Sequence, residues 1–260
     1  MQVDVVVGAG SGMGAAVARA LAGTGPLVLA DRDGDRLGAT AAASMRPVEC
    51  ITCDVTRADQ CEALAARVPE LGVLVVTAGL SPTMGTGEEI YAVNLVGLAA
   101  LLDALEPTLV RGSVAVCFAS IAGHGPPPPA EVGAVLDDPL APDLAGRLRA
   151  VGVDASDPGS AYGLSKHGVI RMVRHRAGTW AARGARIVSL SPGIVDTPMG
   201  RRELGEQPAM QPMIDLVGRM GTAEEVATVA AFLASDAAAF VHGCDVLVDG
   251  GFTALAGLDD

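Results

Sequence analysis

Half of the chain's 260 residues are hydrophobic, enough to bury a large core, and the composition is that of an ordered globular protein. A formal charge of −12 argues against nucleic acid or an anionic membrane as the main partner. No cationic stretch leads into an apolar one before Asp4, no uncharged apolar run free of Gly/Pro breaks is long enough for a membrane span, and five cysteines, an odd number, fit a reducing cytoplasm better than a disulfide framework.

The N-terminal "VDVVVGAG" is a short, nearly continuous apolar run ended by glycine, the pattern of a strand buried on both faces. A helix follows over Gly12 to Leu21, with Met13, Ala16, Val17, Ala20 and Leu21 at helical spacing. "PLVLAD" is a second strand, Asp35 to Ser44 a helix, and "VECITCDV" a third strand whose alternation puts Cys50 and Cys53 on opposite faces. "TRADQCEALAARV" reads as a helix capped by Thr56, "GVLVVTAG" as a fourth strand, 88–106 as a helix and "SVAVCFAS" as a fifth strand. Further on come a helix over Ala161 to Ala182, the strand "ARIVSLSPG", the helix "AEEVATVAAFLAS" and the strand "CDVLVDGG". Apolar strands alternating with helices predict one α/β domain over 1–260, a doubly wound, Rossmann-type seven-stranded parallel sheet with helices on both faces.

That rhythm breaks between the fifth strand and the next long helix. Four prolines, Pro126 to Pro129, favour a stiff extended segment. Val132, Leu136, Leu140, Leu144 and Leu148 then recur every four residues, while Pro139 and Pro142 predict two short helical pieces rather than one. This apolar row needs a cover: the substrate cleft, a second subunit, or its own monomer. Met199, Met210, Met213 and Met220 cluster after "SPG", and methionines suit either an adaptable apolar pocket or a core.

"GAGSGMG" follows the first strand and opens the first helix. Its glycines, Gly8, Gly12 and Gly14, permit a tight turn and let the backbone approach a pyrophosphate, to which the helix N-terminus offers unpaired N–H groups. Asp31 ends the second strand, where a carboxylate accepts from ribose hydroxyls and repels a 2′-phosphate. NAD is therefore expected over NADP, although the adjacent Arg32 could greet a phosphate. Asp54 suits the adenine edge or a strand-end turn equally. The four histidines show no spacing with acids or cysteines for a metal, and none is expected; His124 is the one that could lie near substrate.

These pieces, in this order, resemble the short-chain dehydrogenase/reductase family over essentially the whole chain: G-x-x-x-G-x-G at Gly8–Gly14, N-x-x-G at Asn94–Gly97, Ser120, Y-x-x-x-K at Tyr162–Lys166, "SPGIVDTP" at 191–198 and "DGG" at 249–251. The family often has N-N-A-G where this chain has "VTAG", so Thr77 must replace a structural hydrogen bond and only Ala78–Gly79 remain for the cofactor to pass. Ser120 and Tyr162 lie 42 positions apart, far more than the family's usual spacing, marking an insertion at about 124–157. The bacterial 3α-hydroxysteroid dehydrogenase/carbonyl reductase branch is similar in this respect and near "FVHGCDVLVDGG".

The resemblance implies cofactor contacts from Ser11 and Met13 in the glycine turn, from Val55 beside Asp54, and from Pro192, Gly193, Ile194, Val195 and Thr197 near the nicotinamide. It implies that Tyr162 is the general acid and base, that Lys166 lowers the phenol's pKa of about 10 and holds the nicotinamide ribose, that Ser120 donates to the substrate oxygen, and that Asn94 fixes a water near Lys166. The reaction so implied interconverts a secondary alcohol and a ketone on a small hydrophobic, steroid-like molecule, in a homodimer or homotetramer. A 3-oxoacyl thioester reductase and a non-catalytic dinucleotide-binding sensor or scaffold are the competing readings.

Overall fold

The computed structural model describes residues 1–23 and 25–257. Its centre is a seven-stranded, wholly parallel sheet in the order β3-β2-β1-β4-β5-β6-β9. The strands are β1 (Val3–Val7), β2 (Leu27–Asp31), β3 (Val48–Thr52), β4 (Leu71–Val76), β5 (Leu109–Phe118), β6 (Arg186–Pro192) and β9 (Asp245–Val248). A two-residue pair, β7 (Val195–Asp196) with β8 (Gly221–Thr222), stands apart from it.

Period-two alternation feeds two cores. Val5 and Val7 of β1, Val28 and Ala30 of β2, Leu74 and Val76 of β4 and Ala115 and Cys117 of β5 point to one face. Val6, Leu27, Leu29, Val75 and Val116 point to the other. Both faces of the central strands are covered, which is why β2 and β4 read as nearly unbroken apolar runs, whereas edge strand β3, VECIT, is partly exposed. The first face is packed by α3 (Ala58–Ala65), by the helical run of α4 (Gly87–Tyr91), a π-helical turn (Ala92–Gly97) and α5 (Leu98–Leu105), and by α8 (Pro158–Ala182). The second is packed by α1 (Gly12–Ala20) and α11 (Ala223–Ala234). The run Gly87–Thr108 is apolar and long enough to cross a bilayer, but it carries Glu88, Glu89, Asp103 and Glu106 and over half of its most apolar window is buried inside the fold.

Local chemistry sets the helix starts. Asp157 caps α8 by accepting from Ser160 N at 2.7 Å, with Pro158 in the first turn, where its missing N–H costs nothing. Reciprocal caps pair Thr86 with Glu89 on α4 and Thr222 with Glu225 on α11. Thr56 does not cap α3, as the sequence had suggested: the helix starts at Ala58, and the Thr56 hydroxyl instead donates to Asp54 Oδ1 at 2.7 Å. Asp35 to Ser44 shortens to a 3₁₀ turn (Gly34–Arg36) followed by α2 (Leu37–Ala42).

The inserted stretch forms two short helices, α6 (Ala130–Asp137) and α7 (Leu144–Ala150), as its prolines predict. Its apolar row turns onto its own monomer. Val132, Leu136, Leu144 and Leu148 are buried in the core that includes α8, while Leu140, between the helices, is 43% exposed. Arg171 of α8 holds Asp137 at the end of α6 through two bonds, Nε to Oδ1 at 2.7 Å and Nη2 to Oδ2 at 2.5 Å.

Three short helices complete the C-terminal half: α9 (Pro198–Glu206), α10 (Gln211–Val217) and α12 (Phe252–Leu255). The order of the main sheet reverses direction between β1 and β4, whose last residues, Val7 and Val76, stand side by side. At such a switch point the loops leaving neighbouring strands part, and a crevice opens beyond the strand ends.

Candidate active site

The crevice is real, and it has two halves. One, about 940 Å³, is lined by Gly8, Ser11, Gly12, Met13 and Gly14, by Asp31 and Arg32, by Asp54 and Val55, and by Ala78, Gly79 and Thr197. The other, about 880 Å³, is lined by Ser120, Tyr162, Lys166, Pro192, Gly193, Ile194 and Val195. Met13, Thr77, Gly79, Leu80, Thr197 and Met199 line both, so the halves are continuous. Every site residue expected from the sequence therefore lies in the crevice wall except Asn94.

The glycine turn is built for close approach. Gly8 has φ +87°, and a Cβ there would stand 2.6 Å from Ala78 N, so only glycine fits. Thr77 takes over the bond that the departure from N-N-A-G removed: its Oγ1 lies 3.1 Å from Val7 O and 3.2 Å from Gly8 O, tying β4's end to the turn. Thr40, not anticipated from sequence, donates to Ala9 O at 2.9 Å from a buried position and steadies the same turn.

Asp31 is half-buried at the end of β2, where its Oδ2 accepts from Gly10 N at 2.9 Å and its Oδ1 from Asp33 N at 3.0 Å. Arg32 and Arg36 flank it in the wall, both exposed, and Arg36 is paired with Asp33 at 2.7 Å. Arg36 carried no signal of its own in the sequence. Asp54 proves to be a turn acid as well as a wall residue: its Oδ1 accepts from Thr56 N at 2.9 Å.

At the other end, Ser120 lies two residues beyond β5 and opens a 3₁₀ turn, Ile121–His124, accepting from Ala122 N at 3.2 Å. Tyr162 and Lys166, one turn apart on α8, face the same side, with Nζ 5.9 Å from the phenol ring centre. Lys166 is buried and donates to Phe118 O at 2.9 Å. Burial lowers its pKa to about 8. Burial pushes the Tyr162 phenol up to about 12, with the Ser120 hydroxyl opposing the rise and the Glu203 carboxylate adding to it. The rise in the phenol comes from burial, a quantity that spacing along the chain does not reveal.

Asn94 stands behind the wall. It sits in the π-helical turn, where its Oδ1 accepts from Leu80 N at 2.7 Å, and its Nδ2 donates to Leu80 O at 3.0 Å and Ser165 Oγ at 3.3 Å. An added Cβ on Gly79 would lie 3.2 Å from Asn94 Oδ1 and 3.5 Å from Lys166 Nζ, so the two side chains flank Gly79. His124 turns away from the cleft, with Nε2 2.8 Å from Asp245 Oδ2 and 3.2 Å from Ser191 Oγ. Of the four methionines, Met199, Met210 and Met213 line the cleft, while the Met220 terminus packs near Gly200. Among the described residues, no cluster of His, Cys, Asp or Glu could hold a metal ion.

The chain resembles known proteins over nearly its whole length. Residues 2–132 match the family model described as short chain dehydrogenase, and 149–253 match that described as Enoyl-(Acyl carrier protein) reductase. The chain is 36% identical to cis-4-hydroxycyclohexanecarboxylate dehydrogenase of Sinomonas cyclohexanicum, covering 98% of this chain and 97% of that protein. It is 30% identical to 3-alpha-hydroxysteroid dehydrogenase/carbonyl reductase of Comamonas testosteroni, with 98% of each covered. The solved 3-alpha-hydroxysteroid dehydrogenase of Pseudomonas sp. B-0831, complexed with NADH, superposes with a TM-score of 0.77 at 28% identity over 98% of each chain. The chain belongs to the short-chain dehydrogenase/reductase family. It is accordingly an oxidoreductase of a family that binds nicotinamide dinucleotides, related to enzymes acting on small alcohols and ketones.

Proposed function

We propose that the protein is an NAD(H)-dependent oxidoreductase that interconverts a secondary alcohol and a ketone on a small hydrophobic, steroid-like or cyclic substrate. One observation carries the reading: Ser120, Tyr162 and Lys166 share a cleft that runs without interruption into the glycine turn. The glycine turn and the start of α1 suit a pyrophosphate, Asp31 suits the adenosine ribose, and Ala78, Gly79, Ile194 and Thr197 flank the place where a nicotinamide would meet Tyr162.

When bound, the dinucleotide supplies or accepts the hydride. The chain's own residues handle the proton and the oxygen. In reduction the Tyr162 hydroxyl gives its proton to the carbonyl oxygen, and in oxidation the phenolate takes the proton from the alcohol. Ser120 Oγ donates to the same oxygen as charge develops on it. The Lys166 ammonium favours the phenolate, and Asn94, through Leu80 and Ser165, holds the wall beside it.

NAD is favoured over NADP because a 2′-phosphate beside Asp31 would meet a carboxylate already fixed by two backbone N–H groups. The apolar wall of Met199, Met210, Met213, Leu80 and Ile194 supports a hydrophobic substrate. Exposed Phe232 of α11 and Phe240 support assembly into a dimer or tetramer, which light scattering reads directly. The free state of all five cysteines is in keeping with the cytoplasm.

The test is consumption of NADH and of NADPH with a panel of cyclic and steroidal ketones. The reading expects turnover with NADH on at least one apolar ketone. Cofactor binding without turnover of any ketone, or of the matching alcohols, would favour a sensor instead.

A further inference from the structure

Glu203 is out of place in this cleft. It projects from α9 into the half lined by Ser120, Tyr162 and Lys166 and, among the described residues, is the only acid in that wall. It is half-buried, and its other neighbours there include Met199, Met210, Met213 and Ile194. Met199 and Glu203 lie four residues apart on α9, so both belong to its cleft-facing side. Among the described residues no Lys, Arg or His comes within ion-pair distance of its carboxylate, and no backbone N–H donates to it. Its polar neighbour is the hydroxyl of Ser81, a fully buried residue.

Burial raises the Glu203 carboxyl, and the Ser81 hydroxyl is the group that offsets this. The adjacent basic residues of α9 are engaged elsewhere: Arg201 pairs with Asp196 at 2.5 Å, and Arg202 pairs with Glu206 at 2.8 Å and donates to Thr83 O at 2.7 Å. Arg202 thereby ties α9 to the loop that carries Ser81. A half-buried acid without a cation keeps unused acceptor capacity on the side that faces the cleft. Its field reaches the reacting end, since its charge raises the Tyr162 pKa.

We propose that Glu203 accepts a hydrogen bond from a second hydroxyl of the substrate, so that preferred substrates are neutral alcohols or ketones carrying another hydroxyl, and anionic ones are rejected. The inference rests on the oxidoreductase reading above and narrows its substrate class. A hydroxyl fits better than an ammonium group. Lys166 already places a positive charge in the same wall, which would repel a cationic substrate but not a neutral donor. A carboxylate on the substrate would meet Glu203 as a like charge in a poorly solvated site. A site built to receive a hydroxyl also discriminates against the analogue lacking it, because its acceptor is then left unpaired.

The test is NAD-linked oxidation of cyclohexanol, of cyclohexane-1,2-, 1,3- and 1,4-diol, and of 4-hydroxycyclohexanecarboxylate by the wild type, Glu203→Gln and Glu203→Leu. At least one diol should exceed cyclohexanol in kcat/KM by about tenfold or more in the wild type. In Glu203→Leu that ratio should fall to near one. In Glu203→Gln, which keeps an acceptor oxygen but no charge, part of the ratio should survive and the carboxylate should improve by about tenfold.

A wild type that treats diols and cyclohexanol alike overturns the inference while leaving the oxidoreductase reading intact. So does a Glu203→Leu protein slowed equally on all substrates, which marks a merely structural side chain. Absence of turnover on every alcohol and ketone strikes the underlying reading instead. Calorimetric binding to the Tyr162→Phe protein with NADH then decides the inference: tighter binding of a diol than of cyclohexanol, lost on adding Glu203→Leu, supports it, and equal binding overturns it.

Discussion

Lys166 Nζ lies 5.9 Å from the centre of the Tyr162 ring and donates at 2.9 Å to the carbonyl of Phe118, the last residue of β5. The strand bearing the Ser120 turn and the helix bearing the tyrosine are thus joined through the lysine. Both ionisable groups pay for burial in opposite directions, the phenol raised to about 12 and the ammonium lowered to about 8.

This arrangement predicts paired pH profiles. In reduction Tyr162 must be protonated, which a pKa of about 12 ensures, and Lys166 charged, which fails above about pH 8. Reductive kcat/KM should be flat below about pH 8 and fall above it. Oxidation needs the phenolate, whose fraction grows about tenfold per pH unit, so its kcat/KM should rise to about pH 8 and then level as Lys166 loses its charge. Initial rates in both directions from pH 6 to 10 check this, and a reductive profile flat to pH 10 would contradict it.

Lys166→Met should lose activity yet gain stability. The folded state carries the lysine at a pKa of about 8 instead of 10.5, so burying its charge costs up to about 3 kcal/mol below pH 8. Losing the bond to Phe118 O returns about 1 kcal/mol or more of that. A net gain of roughly 1–2 kcal/mol is expected at pH 7. It should shrink as pH rises from 8 towards 10.5, where the folded wild type sheds the proton. Urea unfolding at pH 7 and pH 10 reads both values.

Asp31→Ser should weaken discrimination against NADP by roughly 10- to 100-fold, since the fixed carboxylate goes while Arg32 and Arg36 remain in the wall. The ratio of kcat/KM for NADH and NADPH measures it. An unchanged ratio would assign cofactor choice to other residues.

Within the insertion, Leu136→Ala should cost about 2–5 kcal/mol because that side chain is fully buried. Leu140→Ala, in the same four-residue spacing but 43% exposed, should change stability by no more than about 0.5 kcal/mol. Thermal unfolding of both variants distinguishes the insertion's core face from its free turn.

The parts of this fold that the sequence announces are those with short-range causes. Val5, Val6 and Val7 read as a strand because both faces are buried, and Gly8 marks the turn because no other residue fits against Ala78. Tyr162 and Lys166 meet because four residues make about one helical turn. What was not legible depends on distant chain. The row at 132–148 announced two helices but not that α8 would cover them, since nothing local specifies the partner face. Thr40 and Arg36 join the glycine turn's surroundings only once α2 folds back beside β2. The π-helical turn that lodges Asn94 behind Leu80 has no pattern of its own. Glu203 could have been noticed four residues after Met199, an acid on a face shared with apolar residues.

The most direct measurement is single-turnover NADH formation by Tyr162→Phe beside the wild type, with saturating NAD and a secondary alcohol that the wild type oxidises, and with cofactor affinity measured in parallel. The rate should fall by about 10²–10⁴ while NAD affinity stays within a few-fold, because the phenyl ring keeps the wall and loses only the proton carrier. A variant that oxidises the alcohol within about tenfold of the wild type would show that the proton leaves by another route, and that Tyr162 is not the acid and base of this site.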